Sequence, residues 1–311
     1  MKSIKIVTSI LILSTGVACK ENKPSEASVS NRDSEVKNIQ IQGHRGERGL
    51  MPENSIPGYI AAIEDGADII ELDVVISSDG KVVVSHEPYM SSKYVSFPDG
   101  SVVTSAEEHD LNLYKMTYDS IRNYDIGRRG NIDFPQQRKM AAYKPLLTEV
   151  VDSVENFLKS NNRKPVGYNI EIKSKPEEYG ISQPEPEELT DMVMEILENS
   201  IIQGPVNIQS FDPAILEVMH RKYPEITLAY LVYKPGIDMN LNELTFLPEI
   251  YSPSYKLIHS FSFVDSIRSK GLKLIPWTVN DTVAIQRMDT LKVDGIISDF
   301  PGRVKALIRG K

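Results

Sequence analysis

The stretch "IQIQGHRGERGLMPENSIPGYIAAIEDGADIIELDVVI" (residues 39–76) carries the reading of the fold. Residues 39–42 alternate apolar and amide side chains, which suits a strand, and they run directly into Gly-His-Arg-Gly. Helical patterning follows over 55–64, and a second β-branched run fills 67–76. A strand, a helix and a strand in this order form a crossover between parallel strands. Further short β-branched runs stand at 82–84, 166–172, 206–208, 227–232, 272–277 and 295–297. Helical segments lie at 147–159, 187–199, 213–222, 261–270 and 282–291. Eight such runs fit a (β/α)8 TIM barrel, an α/β architecture of roughly 250 residues. An open doubly wound sheet is the alternative, but no Gly-x-Gly-x-x-Gly follows the first run.

Two irregularities modify this frame. Only "SSDGK" separates 67–76 from 82–84, too little for a helical crossover, so this pair is expected to form a hairpin on the barrel. Residues 87–145 hold aromatics, charges and one helical piece around Tyr118 to Tyr124, without a barrel element. This insertion either covers the site and selects substrates or is a surface excursion.

The 311 residues are 41% hydrophobic and 25% charged, the proportions of a globular protein, and the net charge of -8 argues against a general nucleic-acid-binding role. Residues 1–18, with Lys2 and Lys5 before the apolar run 6–13 and small residues at 16–18, form a signal peptide too short to span a membrane. The only cysteine, Cys19, follows directly, and the segment resembles a bacterial lipoprotein signal, although Gly16 stands where leucine is usual. Lipidation at Cys19 would tether an exported protein to the cell envelope; the other reading is a plain signal with an incidental cysteine. Residues 19–38 are polar, without apolar periodicity, and read as a flexible tether. The folded part is then 39–308.

Chemistry concentrates at the ends of the strands. Glu71 and Asp73 are two apart in a strand, so their carboxylates share one face of an otherwise apolar run. Like charges buried together are costly unless a cation lies between them. The hairpin then constrains His86. A turn centred on Ser78-Asp79 sets it opposite Glu71, and one centred on Asp79-Gly80 sets it opposite Asp73. In "VGYNIEIKSKP" (166–176) Glu171 and Lys173 again share a face near a strand end. Three carboxylates are hard ligands, suited to one Ca2+ or Mg2+ ion rather than zinc. His44, Arg45 and Lys173 complete a site fit for a phosphate ester.

The blocks "GHRGERGLMPENS", "IIELDVVISSDGKVVVSHE", "NIEIK", "QSFDP" (209–213), "PWTVND" (276–281) and "DGIISDFP" resemble the signatures of glycerophosphodiester phosphodiesterases, in order, from residue 41 to about 301. The resemblance implies a barrel of the phospholipase-C-like phosphodiesterase type. It implies His44 and His86 as the acid/base pair, Glu71, Asp73 and Glu171 as metal ligands, and a glycerophosphodiester as the substrate, cleaved to glycerol 3-phosphate and an alcohol. Glu87 departs from the aspartate usual after the second histidine. Phe211 and Trp277 are candidate walls of the glycerol pocket, although a packed tryptophan is equally ordinary. Glu53 could face the pocket, whereas Asn54 reads as the cap of the helix starting at Ser55. His109, His220 and His259 read as surface or packing residues. A lysophospholipase D on the same barrel is the runner-up, with Tyr89, Tyr94 and Phe97 as an apolar rim. A catalytically silent phosphodiester-binding lipoprotein is a further alternative, and no protein partner is inferable.

Overall fold

A computed structural model describes residues 38–310. The signal segment 1–18, Cys19 and the tether up to residue 37 lie outside the described residues. Strand β1 (Gln40–Gly43) is followed by helix α1 (Ile56–Glu64) and by β2 (Ile69–Ile76), parallel to β1. Ser55 starts α1 by accepting the Gly58 amide on its Oγ, and Pro57 in the first turn fits the helix from the outset. Strand β3 (Val82–Val84) folds back on β2, and α2 (Tyr118–Ile121) lies in the excursion that follows. The alternation then resumes with α3 (Leu147–Ser160), β4 (Gly167–Ile172), α4 (Pro186–Asn199), β5 (Val206–Ser210), α5 (Pro213–Lys222) and β6 (Thr227–Val232). It ends with α6 (Ile237–Leu241), β7 (Ile250–Pro253), α7 (Phe261–Ser269), β8 (Lys273–Leu274), α8 (Thr282–Leu291), β9 (Gly295–Ser298) and α9 (Pro301–Ile308).

The parallel strands follow the order β8-β7-β6-β5-β4-β2-β1-β9. Backbone bonds join the two ends of this row: Asp294 N donates to Leu274 O at 2.9 Å, Ile297 N to Pro276 O at 3.0 Å and Val279 N to Ile297 O at 2.9 Å. The result is the expected (β/α)8 barrel. Its membership differs in one stave from the sequence reading, because β3 is antiparallel and off the ring, and β7 takes the eighth place. β7 has four residues and ends on a proline, too short for alternation to register.

The hairpin also departs from both expected registers. Val74 pairs with Val84 and Ile76 with Val82, so Ser78, Asp79 and Gly80 form a three-residue loop closed by Ser77 N on Lys81 O at 3.0 Å. Gly80 takes the left-handed conformation that such loops require, with φ +68. The odd loop sets Ser85 beside Asp73, with Ser85 N donating to Asp73 O at 3.0 Å, and moves His86 one residue beyond.

Outward residues of the staves, among them Ile70, Leu72, Tyr168 and Ile170, pack against helix residues such as Val150, Leu189 and Ile215 in one core. The excursion has a core of its own, built from Met90, Tyr94, Val95, Leu113 and Ile121 on the hairpin residues Val75 and Val83. Inside the barrel, Ala229, Ile250, Ile275 and Ile297 cluster under Trp277. The other half of the interior is an amide chain. Asn169 Nδ2 donates to Gln42 Oε1 at 2.7 Å and to Gln209 Oε1 at 3.0 Å, and Asn207 Nδ2 donates to Asn169 Oδ1 at 2.6 Å. A buried amide network of this kind holds only when every member is paired.

The loop after β1 is tightly constrained. Gly46 has φ +84, and a Cβ there would meet the Gly58 carbonyl carbon at 2.6 Å. Gly46→Ala is therefore expected to destabilise by about 2 kcal/mol or more. Circular dichroism melting should show Tm lower by roughly 5 °C.

Candidate active site

Glu71 and Asp73 on β2 and Glu171 on the adjacent β4 meet at the C-terminal ends of the strands, with Asp73 registered beside Glu171. One oxygen from each lies within 4.8 Å of the others, and all three side chains are buried. Glu71 Oε1 accepts from Gln209 Nε2 at 2.9 Å, so the interior amide chain terminates on this carboxylate. Glu71 Oε2 accepts from the Arg45 amide at 2.7 Å. Glu171 Oε1 takes Lys173 Nζ at 2.6 Å. Asp73 Oδ2 takes Asn54 Nδ2 at 2.8 Å, while Asp73 Oδ1 has no hydrogen-bond partner and the Lys173 ammonium stands 3.9 Å away.

A wholly buried carboxylate oxygen left without a donor, amid two further carboxylates, suits a cation. The pKa shifts agree. Burial, then the charges of Asp73 and Glu171, push Glu71 well above the usual carboxylate range. Burial raises Glu171 to about 7 against the pull of Lys173, with Asp73 adding to the rise. Burial would raise Asp73 too, but Arg45, His86 and Lys173 hold it low.

Linkage gives this a measurable sign. Between the ordinary value of 4.5 and about 7, unfolded chains are ionised at Glu171 whereas the cation-free fold keeps the proton. The cation-free protein thus loses stability as pH rises through that window. Added Ca2+ or Mg2+ should raise Tm, and by more near pH 8 than near pH 5.5; at about a hundred times Kd the stabilisation is ~2.7 kcal/mol. Differential scanning fluorimetry at the two pH values checks this, and an equal or reversed increment would contradict it.

Arg45 and Asn54 both adopt φ +51, uncommon for residues with side chains. The turn delivers the Arg45 guanidinium to Glu53, Nη1 to Oε1 at 2.8 Å, with Nε 3.3 Å from Asp73 Oδ2. The other Glu53 oxygen takes Arg48 Nε at 2.7 Å and Asn131 Nδ2 at 3.2 Å. Glu53 thus anchors two guanidinium groups, and both its oxygens already have protein donors. The expected cap at Asn54 is corrected: Ser55 caps α1, while Asn54 holds a candidate ligand. Its Nδ2 donates to Asp73 and its Oδ1 accepts from the Tyr59 hydroxyl at 2.8 Å.

Each histidine has its own carboxylate. His44 Nδ1 lies 2.6 Å from Asp299 Oδ1, and Asp299 Oδ2 accepts from Asn280 Nδ2 at 2.6 Å. Burial would raise Asp299, but His44 and Arg48 keep it below the usual range, so it only accepts, and Nδ1 of His44 carries the hydrogen. Burial lowers the His44 pKa, with Asp299 opposing. His86 Nδ1 lies 3.0 Å from Glu87 Oε1. Burial, then Arg45 and Lys173, lower His86 to about 4. Asp299→Asn should reduce kcat by about 10²–10⁴-fold with KM little changed, through loss of the favoured tautomer. Steady-state kinetics beside a melting curve would test it.

Sequence reasoning did not assign Asp299, Asn280 or Gln209, although all three stand in the quoted blocks. Nothing local marks them, since Asp299 meets a residue 255 positions away.

At the rim, Phe211 and Trp277 meet edge to face with centroids 5.3 Å apart, and the Lys173 ammonium lies 5.8 Å from the Phe211 ring centre. Trp277 Nε1 is fixed on Ser252 O at 2.9 Å. Of the three insertion aromatics offered as an apolar rim for a lysophospholipid, Tyr94 does not take that place. Tyr94 is buried with its hydroxyl on Glu87 Oε2 at 2.8 Å, and Phe97 packs on Tyr124. Tyr89 meets the His109 ring, His220 stacks on Phe246 and His259 is exposed. Among the described residues no helix is long and apolar enough to cross a membrane.

Residues 44–303 match the model of the Glycerophosphoryl diester phosphodiesterase family. A glycerophosphodiester phosphodiesterase of Bacillus altitudinis is 30% identical over 85% of this chain and 96% of its own. One from Bacillus subtilis is 28% identical over 95% of each. A crystal structure from Silicibacter pomeroyi, described as a candidate enzyme of this kind, superposes with TM-score 0.75 at 25% identity, covering 88% of this chain and 94% of that one. An Oleispira antarctica phosphodiesterase solved with the product sn-glycerol-3-phosphate superposes with TM-score 0.69 at 23% identity, over 88% and 97%. With a family match that runs from His44 past Asp299, the chain belongs to the glycerophosphoryl diester phosphodiesterases.

Proposed function

We propose that this enzyme hydrolyses glycerophosphodiesters to glycerol 3-phosphate and an alcohol, in a reaction dependent on one divalent cation, Ca2+ or Mg2+. The observation that carries the reading is the meeting of three buried carboxylates, one with an unpartnered oxygen, beside Arg45, Lys173 and two carboxylate-held imidazoles. Glu71, Asp73 and Glu171 would hold the cation, which supplies positive charge against the non-bridging phosphoryl oxygens. Arg45 and Lys173 bind the same oxygens and orient phosphorus. One neutral imidazole takes the proton from the attacking water, or from a glycerol hydroxyl whose attack closes a cyclic phosphate that water then opens, and the other, protonated at Nε2, gives that proton to the leaving alkoxide. His44 and His86 are suited to this, each with Nδ1 held by a carboxylate and Nε2 left for the transfer. Phe211 and Trp277 would flank the carbon face of the glycerol unit.

A substrate panel tests the reading. Glycerophosphocholine should release choline and glycerol 3-phosphate, lysophosphatidylcholine should react poorly, and chelation should abolish turnover until Ca2+ or Mg2+ is returned. Full activity after exhaustive chelation would overturn the cation requirement. The Cys19 signal further supports an exported enzyme anchored by lipid in the cell envelope. Fatty-acid labelling that persists in Cys19→Ala would refute that anchor.

A further inference from the structure

The excursion between β3 and α3 contains a buried cation that the reaction above does not use. Lys144 is only 2% exposed. Its Nζ donates to Ser85 Oγ at 2.7 Å and lies 5.5 Å from the centre of the Tyr94 ring. Ser85 directly precedes His86, and its hydroxyl donates to the Glu87 carbonyl at 2.6 Å. From the same excursion, the Tyr94 hydroxyl donates to Glu87 Oε2 at 2.8 Å, and the other oxygen of that carboxylate holds His86 Nδ1 at 3.0 Å. Burying an ammonium costs several kcal/mol unless carboxylates compensate. Those that face Lys144 are Glu87, Glu53 and Asp73.

We propose that Lys144 is a positioning residue for His86: it braces Ser85-His86-Glu87 and, with Tyr94, fixes Glu87 against Nδ1 of the imidazole. The excursion then holds the tautomer of this ring and adds to the barrel residues' control of its proton affinity. His44 is held differently, by Asp299 after β9 and by Asn280, so separate parts of the fold support the two imidazoles. The inference rests on the proposed function only in giving His86 a part in turnover.

The charges around the pair fix the direction of the effect. His86 is under the influence of Arg45, Lys173, Asp73, Glu87 and Glu53. Glu87 faces His86, Lys144, Arg45 and Tyr94, with Glu53, Tyr89 and Glu108 also within its electrostatic reach. Removing the ammonium leaves the Glu87 charge acting more fully on the imidazole, so His86 should bind its proton more tightly. Removing the Glu87 charge should act in the opposite sense.

The test measures imidazole titrations by nitrogen NMR in the cation-loaded full chain, beside kcat and KM for glycerophosphocholine across pH. Lys144→Met should raise the His86 midpoint by about half a pH unit or more and leave that of His44 in place. It should lower kcat roughly 10-fold with KM little changed, as loss of an orienting partner does. Lys144→Arg should recover part of both, and Glu87→Gln should move the His86 midpoint down. An unchanged His86 midpoint and tautomer in folded Lys144→Met overturns the proposal, as does an equal shift of both histidines. If Lys144→Met does not fold, Ser85→Ala decides by the same readings, since it removes the hydroxyl that accepts from the Lys144 ammonium. A wild type inert on every glycerophosphodiester refutes the proposed function, yet the NMR comparison still decides the role of Lys144.

Discussion

Alanine at His44 or at His86 should lower kcat for glycerophosphocholine by about 10²–10⁴-fold while the protein remains folded, the loss expected if the two imidazoles form the proposed acid/base pair. The two variants differ in what they leave behind. At His44 the Asp299 carboxylate keeps Asn280 as a donor but loses its imidazole, a cost of about 1–3 kcal/mol for a buried acceptor. At His86 the Glu87 carboxylate retains the Tyr94 hydroxyl and faces Lys144, so less stability is lost. Turnover measured beside thermal melting separates the two effects. Rates equal to wild type in both variants would remove the imidazoles from the mechanism.

Glu71→Gln should produce different effects on function and on stability. Burial and two neighbouring carboxylates already disfavour the Glu71 charge, so its neutral isostere should melt at least as high as wild type in chelator near pH 8, the gain being reduced by the amide group that then faces the Gln209 or Arg45 donor. Cation affinity should fall by at least about 10²-fold if Glu71 is one of the three proposed anionic ligands, and turnover should fall with it. Calorimetric titration with Ca2+ or Mg2+ supplies the affinity. Wild-type affinity in this variant would show that the three carboxylates do not form the binding site.

The sequence revealed those features whose chemistry is local. Glu71 with Asp73, and Glu171 with Lys173, announced themselves because alternate residues of a strand share a face. The parallel architecture was legible because strand and helix periods alternate along most of the chain. β7 escaped because four residues ending in proline carry no period. The position of His86 depended on whether the hairpin loop holds two residues or three, and Gly80 permits both. The partners of the imidazoles were illegible for another reason. Asp299 reaches His44 only after the barrel has closed, and Lys144 reaches Ser85 from the far end of the excursion. Asn54 misled because the residue before a helix is so often its cap.

The closure of the ring has a consequence for heat tolerance. β8 contributes two residues, and the join to β9 depends on a few backbone bonds that end at Val279, next to Asn280. Asp299 lies just past β9, on the other side of the same join, whereas the three acids ride on β2 and β4, which are registered over six residue pairs. Warming should therefore loosen the Asp299–Asn280 support of His44 while the three carboxylates keep their places, so inactivation should precede global melting and reverse on cooling.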